Sequence, residues 1–469
     1  MFTRRRLRRV MFTRLVPIMK IMFIHKSMEK YLILSQVNFG IMGRSTLLLC
    51  VILAITGSQA FSQQFYTIKG IITDTKTKTV LPFAQISISH STIGIASNTD
   101  GYFELNIPRE HLTDSLLIYY LGYESWKSKI SEMLNDQMVI RLKPVVLSLA
   151  EVEVVGLTPE EVIRRAVANI PGNYGPGPLI LTAFIRVQKI INNKLVEFAE
   201  AVVNDKKDGY YLYKQKELAG KYKKSNQPEL VKARVISDTV MVNSLDEVGK
   251  NAYCLSCYFS RDIVEFYPGT IFDEKEFKNY DFHMEELTGQ VGKKIYHIRF
   301  DEKDKIRQSL WKGELFVDAE SFAVEKVILK PSLKDYDFYN KKTKYMRTYT
   351  IRSMSGWIQE MPLGQTEVTY SVRNGRWCLN TIRNEYWMTY NHPGSVQMLK
   401  YGYKDEVVVT EVNSDPEKIR SFTGDKTIGK NKRWDQITGP PDEAFWLHYN
   451  YLPIEETLKN AIGKISDSR

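Results

Sequence analysis

Between Tyr66 and Val155 the chain lays out seven short β-type runs in which apolar residues fall at every second position. That spacing restricts the possible folds more than any other feature. Ala84, Ile86 and Ile88 alternate with Gln85, Ser87 and Ser89, and Phe103, Leu105 and Ile107 alternate with Tyr102, Glu104 and Asn106. Successive side chains of a strand point to opposite sides, so one face of each run is core and the other is wet. Asp100-Gly101 supplies the positive backbone dihedrals of a two-residue hairpin turn, joining the run that ends at Asn98 to the run that starts at Tyr102. Leu121-Gly122-Tyr123 marks another corner. Residues 115–120 are continuously apolar, as in a strand covered on both faces. Met138, Ile140 and Leu142, then Val152 and Val154, close the set. Seven strands at this turn spacing predict an antiparallel sandwich over residues 64–156.

A leader precedes this module. Met42-Gly43-Arg44 is followed by the apolar run 47–55 and then by Gly57, Ser58, Gln59 and Ala60, the positive, apolar and small-residue zones of a signal peptide over 42–62. The uninterrupted apolar run is nine residues, and a membrane crossing needs roughly 20, so a cleaved leader is preferred to an anchor. Cleavage follows Ala60 or Ser62. Bulky Leu49 argues against a lipid anchor on Cys50. Residues 1–41, with Arg4, Arg5, Arg6, Arg8 and Arg9, read as a non-native extension ahead of a start at Met42. The stretch 1–62 carries ten Lys or Arg and one acid, Glu29, and so nine of the eleven net positive charges. The exported part is left near neutrality, and a nucleic-acid partner is excluded.

Composition of 43% hydrophobic and 12% aromatic residues fits a folded β-rich protein with room for more than one domain. Three cysteines follow the leader, Cys254, Cys257 and Cys378, too few for a disulfide scaffold.

The string Gly70, Asp74, Leu81-Pro82-Phe83-Ala84-Gln85-Ile86, Gly94, Thr99-Asp100-Gly101-Tyr102-Phe103, Leu121-Gly122-Tyr123 and Leu149 to Val152 resembles the carboxypeptidase D regulatory-like domain, a transthyretin-like sandwich of exported Bacteroidetes proteins. The resemblance implies a non-catalytic accessory module and does not make the chain a peptidase.

Beyond it, residues 157–469 read as a second β-rich domain. Thr158-Pro159-Glu160-Glu161 forms a capping box with proline at the first helical position, and Val162, Ile163, Ala166, Val167 and Ile170 follow at helical spacing. A helix is expected over 159–170, broken by Pro171 and Gly172. Strand-like runs then follow at 179–187, 195–203, 280–287, 294–300, 313–317, 322–329, 344–351, 367–372, 377–390 and 406–412, with a hairpin at Asn374-Gly375 and a second helix near 453–463. The expected fold is mainly β: a seven-stranded antiparallel sandwich followed by a larger antiparallel meander, able to curl into a half-barrel, with a few helices. The helix, Asn173-Tyr174, Gly313-Glu314-Leu315-Phe316-Val317-Asp318 and Phe445-Trp446-Leu447-His448-Tyr449-Asn450 resemble the uncharacterised region often attached to the same sandwich. Longer relatives continue into a membrane barrel, whereas this chain ends in the polar stretch 464–469.

Chemistry-bearing groups are sparse. His283 and Glu286 have the spacing of a zinc carboxypeptidase pair, but in a strand residues three apart face opposite sides, so no metal is expected there. Cys254-Leu255-Ser256-Cys257 lacks the βαβ setting of a redox motif; a local disulfide or two separate thiols is the simple reading, and Cys378 an unpaired core thiol. Asp301, Glu302 and Asp304 lack calcium-loop spacing. Tyr386, Trp387 and Tyr390 could stack on sugar rings, although strand propensity also accounts for them. No catalytic residue or cofactor is expected. The sequence points to an exported, non-enzymatic envelope protein with a binding or assembly role at the periplasm or outer membrane, with envelope proteins, a glycan or a lipid as partner. The alternatives are a carrier of a hydrophobic or lipid-like ligand in the half-barrel and, disfavoured, a zinc-dependent hydrolase using His283 and Glu286.

Overall fold

The structure, a computed structural model, describes residues 65–133, 138–145, 156–175, 177–210, 227–244, 258–259, 261–265, 270–288, 294–304, 306, 311–332, 334, 358–359, 363–391, 398–424, 434, 437–440 and 442–466. The leader, the predicted run 344–351, Val152, Val154, Cys254 and Cys257 lie outside these residues.

The alternating runs of the first module become β1 (Tyr66–Asp74), β2 (Gln85–Ile88), β3 (Gly94–Ala96), β4 (Tyr102–Ile107), β5 (Ser115–Tyr119), β6 (Trp126–Lys129) and β7 (Met138–Leu142). They form two sheets, ordered β4-β1-β7 and β3-β2-β5-β6. Phe103, Leu105 and Ile107 are fully buried, and together with Ile72, Ile86 and Leu116 they fill the space between the sheets. One pairing is parallel, β1 with β7; the others are antiparallel.

The Asp100-Gly101 corner differs from a hairpin. The strands on either side, β3 and β4, belong to different sheets. Gly101 adopts φ +71 but Asp100 has no positive φ, so the mirror-image turn that needs both does not form. Instead Asn98 Oδ1 accepts from the amides of Asp100 (3.0 Å) and Tyr102 (2.9 Å), folding the chain from one layer into the other. Gly122 also sits at positive φ, +87, beside the Tyr123–Pro144 bridge.

The second region is one large open antiparallel sheet. Its strands are β8 (Leu179–Ile191), β9 (Lys194–Lys207), β10 (Gln227–Ser237), β11 (Tyr280–Thr288), β12 (Lys294–Glu302), β13 (Trp311–Asp318), β14 (Val324–Pro331), β15 (Ile358–Gln359), β16 (Leu363–Arg373), β17 (Arg376–Asn391) and β18 (Met398–Asn413). The order is β10-β9-β8-β18-β17-β16-β14-β13-β12-β11, with β15 against β17. The last strand returns to pair with β8, and among the described residues β10 and β11 are the two edges.

Among the described residues five α-helices accompany the sheet: α1 (Pro159–Tyr174), α2 (Thr239–Ser244), α3 (Pro416–Ser421), α4 (Glu443–His448) and α5 (Glu456–Ser466). The capping box of α1 is formed, with Thr158 Oγ1 accepting from Glu161 N and Glu161 accepting from Thr158 N. This helix passes through Pro171 instead of ending there. Ile170 and Tyr174 are both buried, and Tyr174 donates its hydroxyl proton to Val324 O at 2.7 Å, so tertiary contacts hold the last turn.

The inner face of the sheet carries the main core. Val162, Ile163 and Ala166 of α1, which lies over β17 and β11, share one core with Leu181, Ala183 and Ile185, while Phe259, Val264 and Trp434 fill the remainder, all at or below 2% exposure. This face of the open sheet is therefore packed with protein along this stretch. The outer face takes the small module at Phe83, whose ring lies among Phe184, Val202, Trp446 and Leu452. Beside it α5 lays Leu458 and Ile465 on Leu195 and Phe198. Among the described residues no helix is long and apolar enough to cross a membrane.

Candidate functional site

Residues that share a register row and a face line up side by side across a sheet. On the outer face of the large sheet three such rows cross the central strands. The first reads Glu367, Arg383, Glu406, Arg186, Glu200 and Arg234, alternating in charge at every step. Two residues further along the strands, the second reads Gln365, Glu385, Lys404 and Gln188. The third is Leu363, Trp387, Gly402 and Ile190. The surface grades from charged to polar to apolar.

Arg186 anchors the first row. Its Nε and Nη2 donate to Glu200 Oε1 at 2.9 and 2.8 Å with both side chains fully buried, and Arg234 reaches the other oxygen at 2.6 Å. Nη1 lies 3.6 Å from Glu455 Oε2 and 3.8 Å from Glu406 Oε2, and the guanidinium also donates to the carbonyls of Leu452 and Pro453. Burial opposes the Arg186 charge, but Glu200, Glu406 and Glu455 outweigh it and hold its pKa above the ordinary value. Burial pushes the Glu406 carboxyl up, Arg186 pulls it down, and Glu455 pushes it up again. Among the described residues, Glu406 Oε2 and Arg383 Nε have no hydrogen-bond partner.

The small module closes this surface from above. Thr99 donates to Glu455 Oε1 at 3.0 Å, Asn98 to Pro453 O at 3.2 Å, and Gln85 to Tyr370 O at 3.2 Å. Arg373 donates to Thr92 O at 3.1 Å, Tyr119 to Glu325, and the Arg383 guanidinium lies 3.4 Å from the centre of the Phe83 ring. Between module, sheet and the start of α5 remains a polar cleft of about 240 Å³, with Thr99, Gln188, Gln365, Glu385, Lys404 and Thr457 in its lining. A second, more apolar cleft of about 250 Å³ opens where β14 diverges from β16, lined by Trp311, Pro331, Gly364, Tyr386 and Met388. Gln365, Asn384 and Glu385 line both.

Trp387 stands beside the polar cleft. Its Nε1 donates to Glu385 Oε1 at 2.9 Å, and Lys404 Nζ lies 3.1 Å from the same oxygen. Burial works against the Glu385 charge, yet the bonds from Trp387 and Lys404 hold its pKa below the ordinary value. A Cβ on Gly402 would approach the indole Cε3 and Cη2 to 2.7 Å, so the ring lies flat over glycine backbone.

The inner face has its own charged group, sealed in the core. Lys207 pairs with Asp262 and with Glu265 at 2.6 Å, and Tyr370 donates to Asp262 at 2.7 Å. All four are 4% exposed or less, so this is a tie between β9 and the 262–265 segment rather than a place for a ligand. Asp405, also on this face, takes both of its Arg261 contacts at 2.9 and 2.7 Å, and burial nevertheless raises its pKa to about 6.

His283 is 66% exposed, 3.4 Å from Glu285, the neighbour two residues on that shares its side of the pleat. Register pairs His283 with Arg299 and Glu286 with Tyr296, and the side chain of Glu286 lies outside the described residues. His297 bonds Glu314 at 2.8 Å and stacks on Phe316. Among the described residues no three His, Cys, Asp or Glu side chains gather to hold a metal. Cys378 is a buried free thiol whose pKa burial pushes up. The charge row and the Trp387–Gly402 stack were not anticipated from sequence; the alternation of Arg383, Glu385 and Trp387 with Asn384 and Tyr386 was the available signal.

Residues 68–154 match the family model of the CarboxypepD_reg-like domain. No curated protein matches the chain. Among solved structures, it is similar to a DUF1329 family protein from Desulfovibrio piger at 9% identity, covering 55% of this chain and 95% of that one with a TM-score of 0.26. It is also similar to MucB in complex with MucA(peri) at 9% identity, covering 55% of this chain and 98% of that one with a TM-score of 0.17. Likeness at these scores assigns no role.

Proposed function

We propose that this chain is an exported, non-enzymatic cell-envelope protein that binds a ligand or partner, with the polar cleft on the outer face of the large sheet as the binding site. The observation that carries the reading is the docking of the CarboxypepD_reg-like module. Its Thr99 forms part of the cleft wall, and its polar groups are spent on the sheet and on the 452–455 segment. An accessory domain that only trailed from the chain would not need such a fitted contact. The lining carboxylates Glu385, Asp405, Glu406 and Glu455 are held by Trp387, Lys404, Arg261, Arg186 and Thr99, an arrangement that supports a fixed binding surface. Envelope fractionation followed by cross-linking and pull-down tests the reading. Recovery with envelope components is expected, and recovery only as a cytoplasmic monomer would overturn it.

The apolar cleft at Trp311, Tyr386 and Met388 supports a second reading, a carrier of a hydrophobic ligand. Small-molecule pockets usually span roughly 300–1,000 Å³, and at about 250 Å³ this one suits one end of an acyl chain, not a whole lipid. Organic extraction of the purified protein and mass spectrometry would reveal co-purified lipid.

A further inference from the structure

We propose that the outer face at β17 and β18 is a carbohydrate site, with Trp387 as the stacking platform and Gln365, Glu385, Lys404 and Gln188 as the hydrogen-bonding row beside it. The proposal rests on the binding reading above and names the ligand class for the same face.

Trp387 is fixed as a platform from both edge and face. Gly402 lets the indole lie flat, and the bond to Glu385 stops it rotating out of that plane. The ring is half-buried, and Lys400 Nζ, 5.0 Å from its centre, belongs to an exposed side chain that can swing aside. Next to it lie two amides and a carboxylate–ammonium pair in register, with Glu385 about 7 Å along the strand from Trp387. An aromatic face flanked by fixed donors and acceptors matches a sugar ring, which has an apolar face and a rim of hydroxyls.

The charge pattern narrows the choice. Glu385, Glu406 and Glu455 outnumber Arg383 and Lys404 in the cleft, which disfavours a phosphate or other anion, while each carboxylate already faces a cation, which disfavours a cationic ligand. An acyl chain would strip water from the polar row without replacing its hydrogen bonds. A peptide adding as a strand needs a free sheet edge, and β16, β17 and β18 are all internal. A hydroxyl both donates and accepts, so one neutral ligand can bond the Gln365 and Gln188 amides and the Glu385–Lys404 pair together. The cleft has room for a single ring unit, with the next unit of the same chain falling on Trp387.

The test is calorimetric titration of the full chain with neutral hexasaccharides of β-1,4-glucose, α-1,4-glucose, β-1,4-xylose, β-1,4-mannose and N-acetylglucosamine. Binding of at least one is expected, with a fall in affinity of about tenfold or more in Trp387→Ala, a smaller fall in Trp387→Phe, and weakening in Gln365→Ala. Circular dichroism and melting of each variant separate lost binding from lost folding. Absence of heat from all five at millimolar concentration, or binding that Trp387→Ala and Gln365→Ala leave intact, would overturn the proposal. Envelope pull-down reads the broader function independently, so capture of an envelope component without sugar binding removes only the carbohydrate claim.

Discussion

Arg186 on β8 and Glu200 on β9 face each other directly across the sheet, fully buried and joined by two hydrogen bonds of 2.9 and 2.8 Å. The pair is the centre of the charged row, and Arg186 also holds the 452–455 segment that forms one wall of the cleft. Removing one member leaves the other ion buried without its partner. Arg186→Leu is expected to lose about 3–5 kcal/mol of stability, measured by urea unfolding. The double variant Arg186→Leu with Glu200→Leu should recover part of that loss, because it removes the fully buried Glu200 charge, while Arg234, Glu406 and Glu455 still lose a partner and keep the recovery incomplete. Equal losses in single and double variants would show that the pairing is not what matters.

At Gly402 the same face provides a packing test. An added methyl would press on the flat indole of Trp387, and forced overpacking costs typically about 1–3 kcal/mol. Gly402→Ala should therefore lower the melting temperature and change the tryptophan emission. Combining it with Trp387→Ala should remove most of the penalty, since the two residues are in contact and their effects are not additive. Additive losses would mean that Gly402 is constrained by something other than the ring.

Much of this fold was legible in the chain, and the unreadable part has a common cause. Alternation at Phe103, Leu105 and Ile107 is a local signal and led directly to the buried strand β4. The Thr158–Glu161 box likewise marked the start of α1. Strand β10 was overlooked because its alternation pairs apolar positions with Lys232 and Arg234, and Pro228 weakens the pattern; as a sheet edge it tolerates both. The return of β18 to β8 joins residues more than 200 positions apart, so no local pattern could foretell that Arg186 meets Glu406. The outer-face site follows from that long-range register. Even the Asp100-Gly101 corner turned on it, because which sheet receives β4 is decided by β1 and not by the turn.

Asp405 makes a pH-dependent prediction. Burial raises its pKa from 3.8 to about 6, although Arg261 and Asn384 oppose the shift. Between those two values the native state holds a proton that the unfolded chain has released, so stability from this group falls as pH rises through the window and stays lower above about 6. The gap corresponds to roughly 3 kcal/mol. Wild type measured against Asp405→Asn should lose about that much relative stability between pH 4 and pH 7 in urea titrations. A difference that stays flat, or grows with pH, would contradict the assignment.

Phe83 ties the two parts of the molecule together. It is 6% exposed at φ +60, an unusual backbone for a bulky residue, and its ring is packed among Phe184, Val202, Trp446 and Leu452 with the Arg383 guanidinium close above it. Truncation would open a cavity at the contact and strip the aromatic face from Arg383, whose Nε already lacks a partner among the described residues. Buried phenylalanine truncations cost about 3–5 kcal/mol, so Phe83→Ala is expected to loosen the module from the sheet. Hydrogen exchange should report the change in 97–99 and 452–458, the segments flanking the polar cleft, while the inner core around Val162 and Ile185 keeps its protection. Loss of protection spread evenly over both faces would mean that the module and the large sheet fold as a single cooperative unit, with no separable contact at Phe83.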